Sequence, residues 1–313
     1  SVTDATLFGE NNKGYAILGE AYVQYKNGNT AFKGGRQKLN TPLMGADDAR
    51  MLPNLFEAYV LTNKDIANTT LTAAHVTKFA QGTFGRAYSA SSAANQLLSV
   101  TAGYSYVDPQ NQVGSFTNMG SYAMGKSTDG VTIASATYTV DKNLKLQVWD
   151  YYAHDILNAI YAQADISWKC LLSDSVKPSL SVQAIKESEV GDELAGKVEG
   201  EYWAAKFQAK VQSFTASVAY SQTGKNSAAE AAAGGLANAI ITPWGGMPAF
   251  TQGMVTRHQF LAGTKATKVA ANYNFKNLGT NLSTTLYYAS FDMDENSGYG
   301  IARTATESGF DVI

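Results

Sequence analysis

Residues 159–169 read AIYAQADISWK, and this stretch decides the fold. Its even positions, Ile160, Ala162, Ala164, Ile166 and Trp168, are all apolar, whereas Tyr161, Gln163, Asp165, Ser167 and Lys169 are all polar or amphipathic. Successive side chains of a strand point to opposite faces of the sheet, so an alternation this strict predicts one oily face and one wet face. A helical period would scatter the same residues around an axis.

The pattern repeats on both sides of this segment. Leu98, Val100, Ala102, Tyr104 and Tyr106 oppose Ser99, Thr101, Gly103 and Ser105. Leu144, Leu146 and Val148 oppose Lys145 and Gln147, and Trp203, Ala205, Phe207, Ala209 and Val211 oppose Tyr202, Lys206, Gln208 and Lys210. Phe214, Ala216, Val218 and Tyr220 oppose Ser213, Thr215, Ser217 and Ser221; Val269, Ala271, Tyr273 and Phe275 oppose Lys268, Asn272 and Asn274. With similar segments near 15–26, 31–37, 55–63, 69–79, 130–140, 179–187, 280–291 and 304–313, about fourteen strands are expected, most near the roughly 9–11 residues that a tilted strand needs to cross a bilayer.

The connections alternate between tight and long. Lys26-Asn27-Gly28-Asn29, Asn63-Lys64-Asp65, Asp141-Lys142-Asn143 and Lys276-Asn277-Leu278-Gly279 have hairpin chemistry. Between them lie 38–54, 80–96, 107–129, 188–197 and the Ala/Gly-rich 223–255. Short turns on one rim and long loops on the other are what outer-membrane barrels show.

Composition agrees with a barrel. The 313 residues are 45% hydrophobic and 16% charged, yet hold no run near the roughly 20 apolar residues of a spanning helix. Eighteen Tyr, thirteen Phe and four Trp beside only six Pro favour strands, because aromatic residues pack well on a pleated surface and proline removes a ladder donor. The opening SVTDATLFGENNKGY has neither the basic start nor the apolar core of a signal peptide. A lone cysteine, Cys170, offers no internal disulfide, and a net charge of −2 gives no electrostatic footprint for nucleic acid.

A soluble antiparallel sandwich would share the alternation, but its oily face would carry larger residues for dense interdigitation. Here that face holds many Ala, with aromatics at strand ends such as Tyr104, Tyr138, Trp168 and Tyr220, as expected of girdles flanking a lipid band. The expected fold is all-β, an antiparallel transmembrane barrel with long extracellular loops and short periplasmic turns.

The stretch 34–61, GGRQKLNTPLMGADDARMLPNLFEAYVL, resembles the signature region of the OprD-type specific porins of Gram-negative bacteria. The resemblance rests on Gly35-Arg36-Gln37, Thr41-Pro42, Asp48-Ala49-Arg50 and Leu52-Pro53 leading to Phe56, and continues more weakly through 147–152, 158–161 and 307–311. It implies a barrel of about eighteen strands, within the range of outer-membrane barrels, with an inward-folded loop and a row of basic side chains guiding small carboxylate-bearing solutes. The family's chains are longer, so residues 1–313 are expected to form a single β-barrel domain lacking the first and last strands of that barrel. A rich arginine ladder is not evident: the arginines are Arg36, Arg50, Arg86, Arg257 and Arg303, and lysines must supply most of a positive track.

Projected inward, the alternation puts Lys145, Lys206, Lys210, Lys268 and Arg36 on the lumen side, with Glu20, Glu57 and Asp165. A Lys or Arg on the lipid face near the midplane costs roughly 2–4 kcal/mol, so strand charges belong on the wet side. Opposing charges across a pore set ion selectivity; charges that merely solvate the wall are the bland alternative for each of these residues. Arg36, Asp47, Asp48 and Arg50 flank a loop that Pro42 and Gly45 could fold back into the lumen, either as constriction charges or as a salt bridge pinning the loop. Arg86 could reach the pore from another long loop or sit at a solvated tip. Loop 107–129, with Phe116, Met119, Tyr122 and Met124, could serve as a constriction loop or pack externally. Tyr151 and Tyr152 divide between lumen rim and girdle without a decision from sequence.

The histidines His75, His154 and His258 lack metal-binding spacing, no G-x-S-x-G turn accompanies His154-Asp155, and the Gly234-Gly235 and Gly245-Gly246 pairs form no phosphate loop. The expectation is a non-enzyme without cofactor or metal: a diffusion pore for ions and small hydrophilic solutes, embedded among outer-membrane lipid and lipopolysaccharide, as a monomer or homotrimer. A surface barrel acting in adhesion or host contact is the alternative. Lumen size favours the pore, since about fourteen or more strands leave an aqueous interior whereas about eight are filled by side chains.

Overall fold

The computed structural model describes residues 14–47, 52–82, 115–170, 173, 175–246, 248–254, 256–297 and 299–313. Its strands are β1 (Ala21–Asn27), β2 (Thr30–Gln37), β3 (Leu55–Asn63), β4 (Thr69–Ala80), β5 (Thr117–Asn118), β6 (Val131–Asp141), β7 (Leu144–Ala153), β8 (Leu157–Ser167), β9 (Val176–Glu189), β10 (Glu201–Val211), β11 (Phe214–Thr223), β12 (Thr264–Asn274), β13 (Ser283–Met293) and β14 (Arg303–Val312). Among the described residues two short α-helices, α1 (Met119–Met124) and α2 (Ala228–Ala232), lie in connections. No helix among the described residues is long and apolar enough to cross a membrane. The strand expected at 98–106 lies outside the described residues.

All the strands belong to one antiparallel meander, ordered β1-β2-β3-β4-β6-β7-β8-β9-β10-β11-β12-β13-β14, with β5 pairing the end of β4. Local chemistry sets the tight turns. Gly28 at φ 56° and Gln212 at φ 51° supply the left-handed backbone that two-residue hairpins need, closing Asn27 against Thr30 and Val211 against Phe214. At the β6–β7 turn the Asp141 carboxylate accepts the N–H groups of Asn143 and Leu144 at 2.7 and 3.0 Å. These turns share one rim. The opposite rim carries the connections 190–200, 224–263 and 294–302, although its β7–β8 link at 154–156 is short.

The two faces differ as the alternation requires. Val148, Phe207, Val218, Val269, Leu286 and Phe310 all point outward and are 43–64% exposed. Burying one such side chain is worth roughly 1.5–3 kcal/mol, so a continuous outer face of this kind needs an apolar solvent. Acyl chains supply it. The inward face is covered by protein instead. Phe56, Val76, Phe79, Val131, Ile133, Tyr151, Tyr161, Ile185 and Tyr202 pack in one cluster with Met119 and Tyr122 of α1 and with Ile240, Ile241 and Trp244 of the 224–263 connection.

Candidate pore-lining site

Register aligns the inward charges into rows. Following the cross-strand partners from β7 to β14, one row reads Lys145, Asp165, Ser181, Lys206, Ala219, Lys268, Ala289 and Glu307. A second row, nearer the short turns, reads Lys177, Lys210, Thr215, Asn272, Thr285 and Asp311. Lys177 and Lys210 face each other directly, an arrangement of like charges that costs stability unless an anion or solvent screens it.

Polar side chains support the charges. Asp165 accepts from Gln163 Nε2 at 2.8 and 2.9 Å and from Ser181 Oγ at 2.5 Å. Gln163 in turn accepts from the Tyr161 hydroxyl, which accepts from Gln183 Nε2 at 3.3 Å. Tyr202 Oη donates to Gln183 Oε1 at 3.4 Å. Lys206 lies 4.7 Å from the Phe250 ring centroid and Lys268 lies 4.6 Å from that of Tyr287, so aromatic faces steady both ammonium groups.

The 224–263 connection folds across the inward face and narrows the interior. Its backbone is stitched to the wall: Ile241 N–H donates to Glu187 Oε2 at 2.8 Å, Pro248 O accepts from Gln183 at 2.9 Å, and Gln252 O accepts from Lys268 Nζ at 2.6 Å. Ser221 and Thr251 share a 2.7 Å hydroxyl contact. Trp244 donates its indole N–H to Met119 O at 3.2 Å, and its own carbonyl accepts from Gly45 N at 3.4 Å. Thus 224–263, α1 and the 38–47 segment meet inside the sheet. The outer end of the connection is held by α2, whose Ser227 and Glu230 form a capping box, while Lys197 reaches Glu230 at 2.8 Å. That ammonium and the Ser227 donors keep the Glu230 carboxyl down at about 2.

Asp47 sits at this junction with φ 45°. Its Oδ1 accepts from Gly246 N at 3.2 Å and its Oδ2 from Asn54 Nδ2 at 3.2 Å. Burial pushes its carboxyl above the usual range, against the opposing pull of the Arg257 charge and these two donors. It therefore ties the 38–47 segment to Gly246 and Asn54. On the same connection His258 packs edge-on against Phe291 and Tyr299, with ring centroids 5.9 and 5.3 Å away. Burial, with the nearby Arg303 charge, lowers its pKa to about 4.

The other candidates separate into clear groups. Lys145, Asp165, Lys206, Lys210 and Lys268 stand on the inward face and share the two rows. Arg36 and Glu57 do not. They share the outward parity of Phe32, Tyr59 and Leu61, opposite the inward Gln37, Phe56 and Ala58. A β-bulge at β4 sets Thr77 and Lys78 together against Glu57, whose carboxylate lies 3.8 Å from Arg36 and 3.1 Å from Lys78. The expectation that Arg36 and Glu57 face the lumen is corrected accordingly: they form an outer cluster at the long-loop rim. Glu20 precedes β1 and is exposed. Asp48, Arg50 and Arg86 lie outside the described residues, as do residues 107–114 of the expected constriction loop.

Several inward charged positions escaped the sequence reading. Lys177, Glu307 and Asp311 share the inward rows, and Glu307 could have been found from its parity with Asp311, opposite the outward Phe310 and Val312. The covering role of 224–263 had no such signal, because the segment is rich in Ala and Gly and carries no period. Tyr151 is buried inward and accepts from Leu43 N at 3.3 Å, whereas Tyr152 faces outward. Among the described residues no group of three or more His, Cys, Asp or Glu is placed to hold a metal ion.

Known proteins provide an independent measure of kinship. A family model described as outer membrane porin, OprD family, matches residues 3–309. Crystal structures of Pseudomonas aeruginosa channels share the fold. OccK1 (OpdK) superposes with a TM-score of 0.71 at 14% identity, covering 93% of this chain and 67% of that one. OpdK with vanillate gives a TM-score of 0.71 at 14% identity, with 93% and 66% covered. OccK2 (OpdF) in complex with glucuronate gives 0.70 at 16% identity, with 93% and 68% covered. This chain therefore spans about two thirds of the length of these channels. No curated protein sequence matches it. With the family model covering nearly the whole sequence and the strands laid out as in these barrels, the chain belongs to the OprD family of outer membrane porins.

Proposed function

We propose that the inward wall selects small solutes carrying a carboxylate. The observation that carries this reading is the pair of cross-strand rows, in which Lys145, Lys206, Lys268, Lys177 and Lys210 outnumber Asp165, Glu307 and Asp311. Lys206 and Lys268 lie beside the segment that narrows the interior, where screening by bulk water is weakest. An anion moving along the wall would pass from one ammonium to the next, with aromatic and amide side chains between them. Two of the structurally similar channels are recorded with vanillate and with glucuronate, both carboxylate anions.

The test is the reversal potential of the full-length channel in a planar bilayer under a salt gradient, followed by liposome uptake of glucuronate, vanillate and an uncharged sugar. Anion preference with faster uptake of the two carboxylates is expected. Cation preference, or equal uptake of the neutral sugar, would exclude this selectivity. The adhesion reading gains nothing from the longest described connection, 224–263, because that segment is spent on the interior wall.

A further inference from the structure

The seam between the 224–263 connection and β14 has the chemistry of an anion site. Glu307 Oε1 accepts from Met254 N–H at 2.7 Å and from the Tyr287 hydroxyl, while Oε2 accepts from Thr256 N–H at 2.6 Å. Lys268 stands next in the row, separated from Glu307 only by Ala289. Its ammonium is held by Gln252 O at 2.6 Å and by the Tyr287 ring. Two convergent backbone donors, a phenol and an adjacent cation are the complement that recognises a carboxylate wherever one binds.

Gly253 makes this approach possible. A Cβ there would lie 2.5–2.9 Å from the Glu307 carboxylate atoms, so a side chain would push the two N–H groups away from the oxygens. The donors belong to the pore-narrowing segment rather than to a strand ladder. Nothing in the sheet's own hydrogen bonding requires them to point at position 307.

We propose that this seam is a carboxylate receptor occupied by the protein's own Glu307, and that a permeating carboxylate exchanges with it. The inference rests on the carboxylate selectivity proposed above. In it, Glu307 is an internal competitor: it holds the receptor between transits and sets how strongly a solute is retained beside Lys268. A receptor and a mere latch differ in one respect. A latch that has lost its carboxylate stays loose, whereas a receptor is refilled by a carboxylate from solution.

The experiment compares wild type, Glu307→Ala, Glu307→Gln and Glu307→Asp in planar bilayers, with acetate substituted for chloride at constant ionic strength. Heat-modifiable migration on gels establishes that each variant has folded. Glu307→Ala is expected to show saturable retention of acetate, seen as current reduction, at a concentration at least tenfold below any such effect in wild type. Glu307→Gln keeps a carbonyl acceptor for the same donors and is expected to respond like wild type. Glu307→Asp, with the charge kept and the reach shortened, should fall between them and preserves the test if the alanine variant does not fold. Equal acetate responses in wild type, Glu307→Ala and Glu307→Asp would overturn the proposal, as would a Glu307→Gln response equal to that of Glu307→Ala, which would mark a simple charge effect. A wild-type channel that conducts acetate, with variants that do not differ from it, removes this inference alone. A wild-type channel that carries no carboxylate removes the selectivity reading and this inference with it.

Discussion

Lys206 and Lys268 flank Ala219 in a single cross-strand row, each paired in register with it from opposite sides. Both ammonium groups point to the inward face, and nothing larger than a methyl group separates them along the wall. Two like charges this close favour an anion between them, and the effect depends on salt because the screening length shrinks from about 10 Å at 0.1 M to about 3 Å at 1 M.

Replacing both lysines, as Lys206→Gln with Lys268→Gln, should therefore reduce anion over cation permeability by about fivefold at 0.1 M salt, equivalent to roughly 1 kcal/mol between ion types. At 1 M salt the difference should shrink toward nothing. Reversal potentials at the two concentrations check both statements, and a salt-independent change would point to altered shape instead.

The wall faces can be tested separately from the pore. Val218 is 46% exposed on the outward face of β11, and its neighbour Thr215 lies inward beside Lys210. Val218→Arg should destabilise the barrel in lipid by about 2–4 kcal/mol, whereas Thr215→Arg should cost clearly less, its penalty being only the water-screened repulsion from Lys210. Urea titration of the protein refolded in vesicles measures the difference; equal costs would refute the assignment of faces.

Trp244 fastens the interior connection, being 4% exposed with its indole on the Met119 carbonyl. Trp244→Ala should cost about 3–5 kcal/mol of local packing and loosen the junction of 224–263, α1 and 38–47. The expected outcome is higher single-channel conductance with larger current fluctuations, while heat-modifiable migration stays as in wild type. An unchanged conductance would show that the connection does not limit the pore.

His258 predicts an acid response. Its folded pKa, about 4, lies below the ordinary value near 6.5, so the unfolded state binds the proton more readily. The stabilising contribution is full above about pH 6.5 and is lost as pH falls through about 4. The contacts with Phe291 and Tyr299 should loosen over that window. Current noise recorded from pH 7 to pH 4 should rise in wild type and rise less in His258→Gln, which lacks the titrating imidazole; an equal rise in both would assign the response to carboxylates such as Asp47 instead.

How much of this was legible beforehand follows from what each signal depends on. The alternation at 159–169 placed β8 and its faces, because side-chain direction in a strand is a property of the residue's own backbone. The same local rule put Lys145, Asp165, Lys206, Lys210 and Lys268 inward. It failed at Arg36 and Glu57, where Ala58-Tyr59-Val60-Leu61 is apolar on both faces and so gives no local sign of which face is wet; the bulge at Thr77 and Lys78 shifts only the parity of β4 beside them.

Sequence by itself determined the strand character, the oily and wet faces and, through the signature at 34–61, the family. Only tertiary structure decided which charges share a row, since register across β7 to β14 is fixed by pairing between strands distant in sequence. It also decided that the Ala/Gly-rich 224–263 connection lies against the inner wall. That placement depends on hydrogen bonds to Glu187, Gln183, Lys268 and Glu307, residues tens of positions away in the chain in three of the four cases, whose donors and acceptors meet only once the sheet has formed.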